Sequence, residues 1–209
     1  MAKNVEGEGK MAIELKKGNK INLSKDNKSI GEVSINLNWS QGQAKKQSFF
    51  KSLLSVGNVD LDLGCLFELK DGTIGCVQAL GNAFGALNRP PYIALDGDDR
   101  TGSNLKGETL RFNASKISEV KRILVYTYIY EGVANWASID GVVTIKQNSG
   151  DDIIIKMDEY SNKKLMCALA MISNENDNCI VEKIVEYYSG HQDLDRAYTW
   201  GLQWHRGRK

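Results

Sequence analysis

Apolar and polar side chains alternate along several short stretches of this chain. The clearest stretch has apolar residues at Val33, Ile35, Leu37 and Trp39, with polar residues between them. A period of two is typical of a strand that is buried on one face only. Residues 122–130 are largely apolar on both faces, which predicts a central strand with packing on both sides.

Clusters of turn residues separate further strand-like runs and predict hairpins. One polar turn lies between residues 141–147 and 153–157, and another lies between residues 165–172 and 179–188. Near the end of the chain, residues 194–200 form a short amphipathic stretch. The pattern as a whole predicts an all-β fold with short helical turns.

Two parts of the chain lack this periodicity. Residues 1–10 are predicted to be a flexible N-terminal arm, which leaves residues 11–209 as a single domain. Residues 40–59 are predicted to form a long loop, in which lysines lie among Phe49, Phe50 and two leucines. Aromatic residues among lysines could stack on a nucleic acid or dock on a protein partner, and this loop is the candidate surface for such a partner. The alternative is a loop that folds its apolar residues inward.

Composition and charge narrow the classes of partner. Of the 209 residues, 42% are hydrophobic and 25% charged, and the net charge of +1 provides no overall field for nucleic acid or acidic membranes. The chain opens without the pattern of a secretory leader, and its longest apolar run, residues 123–130, is far shorter than the ~20 residues of a membrane helix. We therefore expect a cytoplasmic protein that neither binds nucleic acid nor inserts into a membrane.

Catalytic motifs are absent from the sequence. It contains no nucleophile elbow, Walker loop, HExxH zinc motif or dinucleotide fingerprint. The two histidines, His191 and His205, both lie near the C-terminus, where only Asp193 or Asp195 could assist them. We expect no enzymatic activity, and we expect His191 to bond to the backbone or to a neighbouring carboxylate.

Acidic residues cluster at two corners that a sheet could bring together. Asp60 and Asp62 are two apart on a predicted strand, so their carboxylates share one face, and Asp96, Asp98 and Asp99 lie in a Gly-bounded turn. Oxygen donors without His or Cys suit Ca²⁺ or Mg²⁺ rather than zinc. Asp is also a common turn residue, so ordinary turns remain the alternative. An EF-hand is excluded because its spacing from Asp96 fails.

The order of these segments resembles the tellurium-resistance family TerD, and within it the TerA-like branch. The resemblance is carried by DLDLGCLFELKDG from Asp60, GDDRTG from Gly97, YIYEG from Tyr128 and GHQDLDRAYTWGLQW from Gly190. It implies a two-sheet β-sandwich that binds Ca²⁺ at clustered acidic loops, in bacterial proteins of the response to tellurite and other chemical stress. It implies no enzymatic reaction, and it suggests protein partners in a stress-response complex.

Matching the family's acidic segments to this chain implies a set of metal ligands. The implied ligands, with the neighbouring acid of the second corner, are Asp60, Asp62, Asp96, Asp98, Asp99 and Glu108. Three acids that the family often carries are missing, because Ser40, Lys106 and Gly107 stand in their places. The resemblance therefore implies a site of weakened affinity for one or two Ca²⁺ ions.

The four cysteines, Cys65, Cys76, Cys167 and Cys179, have no CxxC spacing and lie on apolar runs. Reduced, buried thiols that fill the core are the expected state in a cytoplasmic protein. A two-residue turn at Asp71-Gly72 would place Cys65 and Cys76 on the same face of a hairpin. Because tellurite reacts with thiols, the family resemblance adds a second interpretation, in which these cysteines react with tellurite.

Three interpretations of function stay open at this point. The first is a non-enzymatic, calcium-binding stress-response domain. The second is a scaffold or protein-interaction module with a degenerate cation site, in which Lys106 pairs with the carboxylates. The third is a sandwich that holds a small polar ligand with the help of a cation and of Tyr92, Tyr128 and Trp136.

Overall fold

The computed structural model describes residues 11–24, 30–39, 59–96, 107–132, 136–148, 150–157 and 163–205. Several expectations fall outside these ranges: the N-terminal arm, nearly all of the long loop, and the acids Asp98 and Asp99. Ser40 and Lys106 also lie outside the described residues.

The described residues form two sheets, and the all-β prediction is confirmed. The strands are β1 (Ala12–Glu14), β2 (Lys20–Asn22), β3 (Glu32–Asn38), β4 (Asp60–Leu69), β5 (Ile74–Gln78), β6 (Gly85–Ala86), β7 (Ile93–Leu95), β8 (Glu108–Asn113), β9 (Val120–Glu131), β10 (Val142–Gln147), β11 (Asp152–Lys156), β12 (Met166–Glu175) and β13 (Asn178–Tyr188). One sheet has the order β1-β11-β10-β3-β8-β7-β6, and the other has the order β2-β13-β12-β9-β4-β5. Short 3₁₀ helices lie at Leu80–Asn82, Ala114–Glu119 and Trp136–Ser138.

The hydrophobic pattern decides which faces meet. In β3, Val33, Ile35 and Leu37 point into the core between the sheets, as their alternation predicts. Strand β9 lies between β4 and β12 and is buried on both faces. Its second face belongs to a smaller apolar cluster on the outside of the six-stranded sheet, with Leu66, Tyr126 and Leu194 among its members.

The hairpin of β4 and β5 differs from the prediction by one residue. Leu69 and Thr73 close a three-residue turn, in which Gly72 adopts a φ of +90°. Cys65 is therefore opposite Val77, and Leu66 is opposite Cys76. Because neighbouring residues on a strand face opposite ways, the one-residue shift places Cys65 and Cys76 on opposite faces. The predicted shared face is wrong.

The C-terminal segment, residues 190–205, covers the outer face of the six-stranded sheet. It contains the helix α1 (His191–Tyr198), which overlaps the predicted amphipathic stretch. The indole of Trp200 donates to the carbonyl of Phe67 (2.9 Å), and the guanidinium of Arg122 stacks 3.9 Å from the centre of the Trp200 ring. These contacts bury the apolar face of α1 against the sheet. None of the helices in the described residues is long and apolar enough to span a membrane.

Candidate functional site

Asp60 and Asp62 lie at the start of β4, where the sequence predicts them, but both are buried. Their exposed fractions are 8% and 0%. Leu61 and Leu63 point into the core between the sheets, so the two aspartates share the opposite face. Across the ladder Asp62 is opposite Tyr128 on β9. The predicted pair is therefore a buried feature of the outer sheet face.

Glu108 reaches this corner from the other sheet. It is the first residue of β8, is 2% exposed, and accepts a hydrogen bond from the backbone N–H of Leu63 at 2.6 Å. Strand β5 pairs with β4 only from Gly64 onward. The N–H of Leu63 lies just past that ladder, and the Glu108 carboxylate takes the place of a strand partner.

The raised pKa of the Tyr128 hydroxyl reflects burial and the proximity of Asp62 and Glu108. Its pKa lies well above the ordinary value because the side chain is buried and because Asp62 and Glu108 place negative charge nearby. Ionised Tyr128 would face two carboxylates in a medium of low dielectric constant. The structure therefore brings Asp62 and Glu108, from two sheets, around one neutral phenol.

Asp96 is oriented differently from Glu108. It follows β7, and its carboxylate accepts a hydrogen bond from Nε of Arg111 at 2.7 Å. On β8, Arg111 faces the outside of the sheet, whereas Glu108 faces inward. Asp96 thus belongs to a surface ion pair.

A second polar feature, which the sequence does not reveal, is a cleft of about 950 Å³ between the end of β5 and the C-terminal segment. Its lining includes Cys76, Gln78, Leu80, His191, Arg196 and Trp204. The hydroxyl of Tyr126 donates to Oε1 of Gln78 (2.7 Å), and Nε2 of His191 lies 2.9 Å from the same oxygen. His191 therefore bonds to a side-chain amide, and the expected backbone or carboxylate partner is wrong.

Aromatic rings surround His191. Its ring centre lies 5.7 Å from that of Tyr126, 5.0 Å from Tyr128 and 4.8 Å from Trp204. A polar residue at the end of an apolar strand, such as Gln78, is the only local signal in the sequence, and it names no partner. The contact joins residues 113 positions apart, so periodicity could not predict it.

Comparison with known proteins gives the family. The model of the TerD domain family matches residues 11–169, which is more than half of the chain and includes β4 and β8. This chain belongs to the TerD family. The match ends within β12, so β13 and α1 of this TerD protein lie beyond the matched residues.

A relative with similar sequence supports membership of the TerD family. The chain is 41% identical over 198 residues to Tellurium resistance protein TerA of an Alcaligenes species, a match that covers 91% of this chain and 58% of TerA. The chain thus spans less than two thirds of the length of that relative.

Two solved structures share the TerD fold. A protein of unknown function has a TM-score of 0.58 at 12% identity and covers 84% of this chain and all of its own. A homologue of the telluride resistance protein TerD from Streptomyces coelicolor has a TM-score of 0.55 at 14% identity and covers 79% of this chain and 95% of its own. At these identities the similarity shows the fold alone.

Acidification should destabilise this TerD protein through His191. Burial lowers the pKa of His191 from its ordinary value of 6.5 to about 4. Below pH 6.5 the His191 imidazole binds a proton in the unfolded chain but not in the native state. The free energy of unfolding therefore falls as the pH is lowered, until the native state also binds the proton near pH 4. Allowing for partial exposure of the ring, we expect a loss of roughly 2 kcal/mol. Urea unfolding at pH 7, 5.5 and 4 measures it.

The control for this prediction is His191→Phe, which keeps a ring between Tyr126, Tyr128 and Trp204 without a titrating nitrogen. Carboxylates also titrate in this range, so the relevant quantity is the difference between the two pH profiles. Identical profiles for the two proteins would contradict the assignment to His191.

Proposed function

We propose that this chain is a non-enzymatic, calcium-binding domain of a tellurium and chemical-stress response. The observation that carries the proposal is the pair of buried carboxylates that the two sheets bring together around Tyr128, Asp62 and Glu108, with the buried Asp60 two residues before Asp62. Membership of the TerD family and the similarity to a tellurium resistance protein support the stress-response role. The absence of catalytic motifs in the sequence supports a role without enzymatic chemistry.

The donor set at this corner fits a hard divalent cation. Carboxylate oxygens are the preferred ligands of Ca²⁺, and buried like charges repel one another unless a cation or a proton compensates them. Asp60, Asp62 and Glu108 would hold the ion, with Asp98 and Asp99 supplied by the segment that leads into Glu108. When bound, the ion would neutralise the carboxylates and link the two sheets. Asp96 would first have to leave its ion pair with Arg111.

A scaffold with a degenerate cation site is the second candidate, and one observation favours it. Within the part of the chain that the structure describes, no group of three or more His, Cys, Asp or Glu side chains is arranged to hold a metal ion. Lys106 and Gly107 also stand where the family resemblance leads one to expect acids. In this candidate function the domain acts through protein partners alone.

The third interpretation, with Tyr92, Tyr128 and Trp136 around one ligand, is wrong in its residues. Trp136 is 1% exposed, packs against Tyr187 and belongs to the core between the sheets. Tyr128 lies in the outer cluster, and the ammonium of Lys116 lies 5.9 Å from the centre of the Tyr92 ring. The three aromatic side chains occupy three different environments.

We further propose that the domain works in the cytoplasm with protein partners of a stress-response complex. The composition, without a basic field or an apolar span, supports this placement. Because the chain spans 58% of TerA, the activity of the whole relative stays a proposal for this chain.

Calcium titration tests the cation proposal. Chelator-treated protein should release or absorb heat on addition of Ca²⁺ with a dissociation constant of about 10⁻⁵ M or weaker, reflecting the missing acids, and Mg²⁺ should bind more weakly. At a hundredfold excess over that constant, Ca²⁺ should stabilise the fold by about 2.7 kcal/mol. Isothermal titration and thermal melting measure the two effects.

The matched variant is Asp60→Asn with Asp62→Asn, which keeps side-chain shape and removes two charges. We expect at least a tenfold loss of Ca²⁺ affinity, about 1.4 kcal/mol. Asp96→Asn is the control, since its carboxylate pairs with Arg111. Absence of heat and of thermal stabilisation at millimolar Ca²⁺ in the wild-type protein would favour the scaffold.

A further inference from the structure

The cleft beside the C-terminal segment contains a polar group that the fold only partly uses. Gln78 is 5% exposed, and both hydrogen bonds of its side chain involve Oε1, with Tyr126 and His191. Among the described residues, none accepts a hydrogen bond from its amide nitrogen. Because Gln78 lines the cleft, two N–H groups remain there for a further acceptor.

His191 supplies the complementary group. Burial keeps the ring neutral at neutral pH. When Nε2 donates to Oε1 of Gln78, Nδ1 therefore carries a lone pair. Within the described residues Nδ1 has no hydrogen-bond partner. If the Gln78 amide rotates and His191 takes its other tautomer, donor and acceptor exchange places together. In both arrangements one of these side chains offers a donor and the other an acceptor, and both residues line the cleft.

The rest of the lining favours a flat and uncharged ligand. The ring of Trp204 lies against His191 with its centre 4.8 Å away, and Leu80 adds apolar surface. Burial raises the pKa of the Cys76 thiol, so this side chain is protonated and neutral. Charge is confined to the side of α1, where Arg196 pairs with Asp193 at 3.7 Å. The other residues that line the cleft include no aspartate, glutamate, lysine or arginine.

We propose that this cleft binds a small planar molecule that carries a carboxamide or a lactam. An amide presents both an acceptor and a donor, so its carbonyl oxygen can accept from one of Gln78 and His191 while its N–H donates to the other, and a ring beside the amide can stack on Trp204. The volume of about 950 Å³ lies within the range of small-molecule sites. The proposal goes beyond cation binding, because none of the proposed Ca²⁺ ligands lines the cleft.

Nicotinamide, a planar carboxamide, is the probe for this site. The full chain is treated with chelator, so that the outcome does not depend on Ca²⁺, and the indole N–H signals are followed by NMR as nicotinamide is added. The Trp204 indole, which donates to Asp195, should shift and saturate at millimolar probe. The Trp136 indole, which donates to the carbonyl of Lys164, should stay in place and serves as an internal control.

Two variants test the residues. Gln78→Met and His191→Phe should each weaken nicotinamide binding about tenfold, and the unchanged Trp136 signal shows that each variant is folded. Lys156→Ala, on the other sheet, should bind as the wild type does. If Gln78→Met fails to fold, His191→Phe decides the question, since it keeps the aromatic contacts.

Two results would overturn the proposal. One is a Trp204 signal that does not move up to about 20 mM nicotinamide, well past the affinity expected of so small a ligand. The other is tighter binding of nicotinic acid than of nicotinamide, lost on Arg196→Ala, which would make the cleft an anion site.

Discussion

Replacing Gly107 with aspartate, one of the acids missing from the family pattern, should destabilise the protein by at least about 3 kcal/mol. Gly107 has a φ of +65°, a conformation that side chains with a Cβ rarely adopt. A Cβ at this position would also collide with the backbone carbonyl oxygen of Leu37. Because Leu37 is the ladder partner of Glu108, relieving the collision means separating β3 from β8 beside the proposed cation site. Urea unfolding of chelator-treated protein measures the loss.

A matched control separates backbone strain from the collision. Gly18 has a φ of +74°, and a Cβ there would meet nothing within 4 Å. Gly18→Asp should therefore cost only about 1 to 2 kcal/mol. The contrary result would be a Gly107→Asp variant that is as stable as the wild type and binds Ca²⁺ more tightly. The backbone at position 107 would then tolerate an acid, and the loss of that acid alone would account for weaker Ca²⁺ binding.

Replacing Asp195 with alanine should destabilise the protein by about 2 to 4 kcal/mol, through loss of the C-terminal segment. The carboxylate of Asp195 is 5% exposed and accepts three hydrogen bonds, from the backbone N–H groups of Gly201 (2.8 Å) and Leu202 (3.0 Å) and from the indole of Trp204 (3.0 Å). Without it these donors are left without their acceptor, and the turn after α1 loses its anchor. Urea unfolding and protease digestion at the C-terminus measure the effect.

Asp193→Ala is the control on the same helix. Asp193 is partly exposed, accepts one backbone hydrogen bond, from Ser189 at 3.0 Å, and pairs with Lys164 and Arg196 at 3.7 Å each. Its removal should cost about 1 kcal/mol. Equal losses for the two variants would show that Asp195 acts as a general helix stabiliser and not as the anchor of the segment. Undocking of the C-terminal segment in Asp195→Ala would also abolish the Trp204 response in the nicotinamide experiment.

Local pattern was enough to predict most of the fold. The alternation in β3 and the two apolar faces of β9 are confirmed by burial. Both later hairpins form as predicted, with β10 against β11 and β12 against β13. The turn at Gly72 was the exception, because two-residue and three-residue turns use similar residues, and a difference of one residue reverses the faces of Cys65 and Cys76.

The sequence by itself determined the strands and the positions of the acidic residues, since each depends on residue type and on spacing within one stretch. The two-sheet class followed from the resemblance of the sequence to the TerD family. Only the tertiary structure decided that Asp62 and Glu108 meet around Tyr128, that Asp96 pairs with Arg111, and that Gln78 and His191 share a cleft. Each of these contacts joins different strands or elements. Their partners are chosen by sheet order, register and the docking of α1, which a local period of two does not encode.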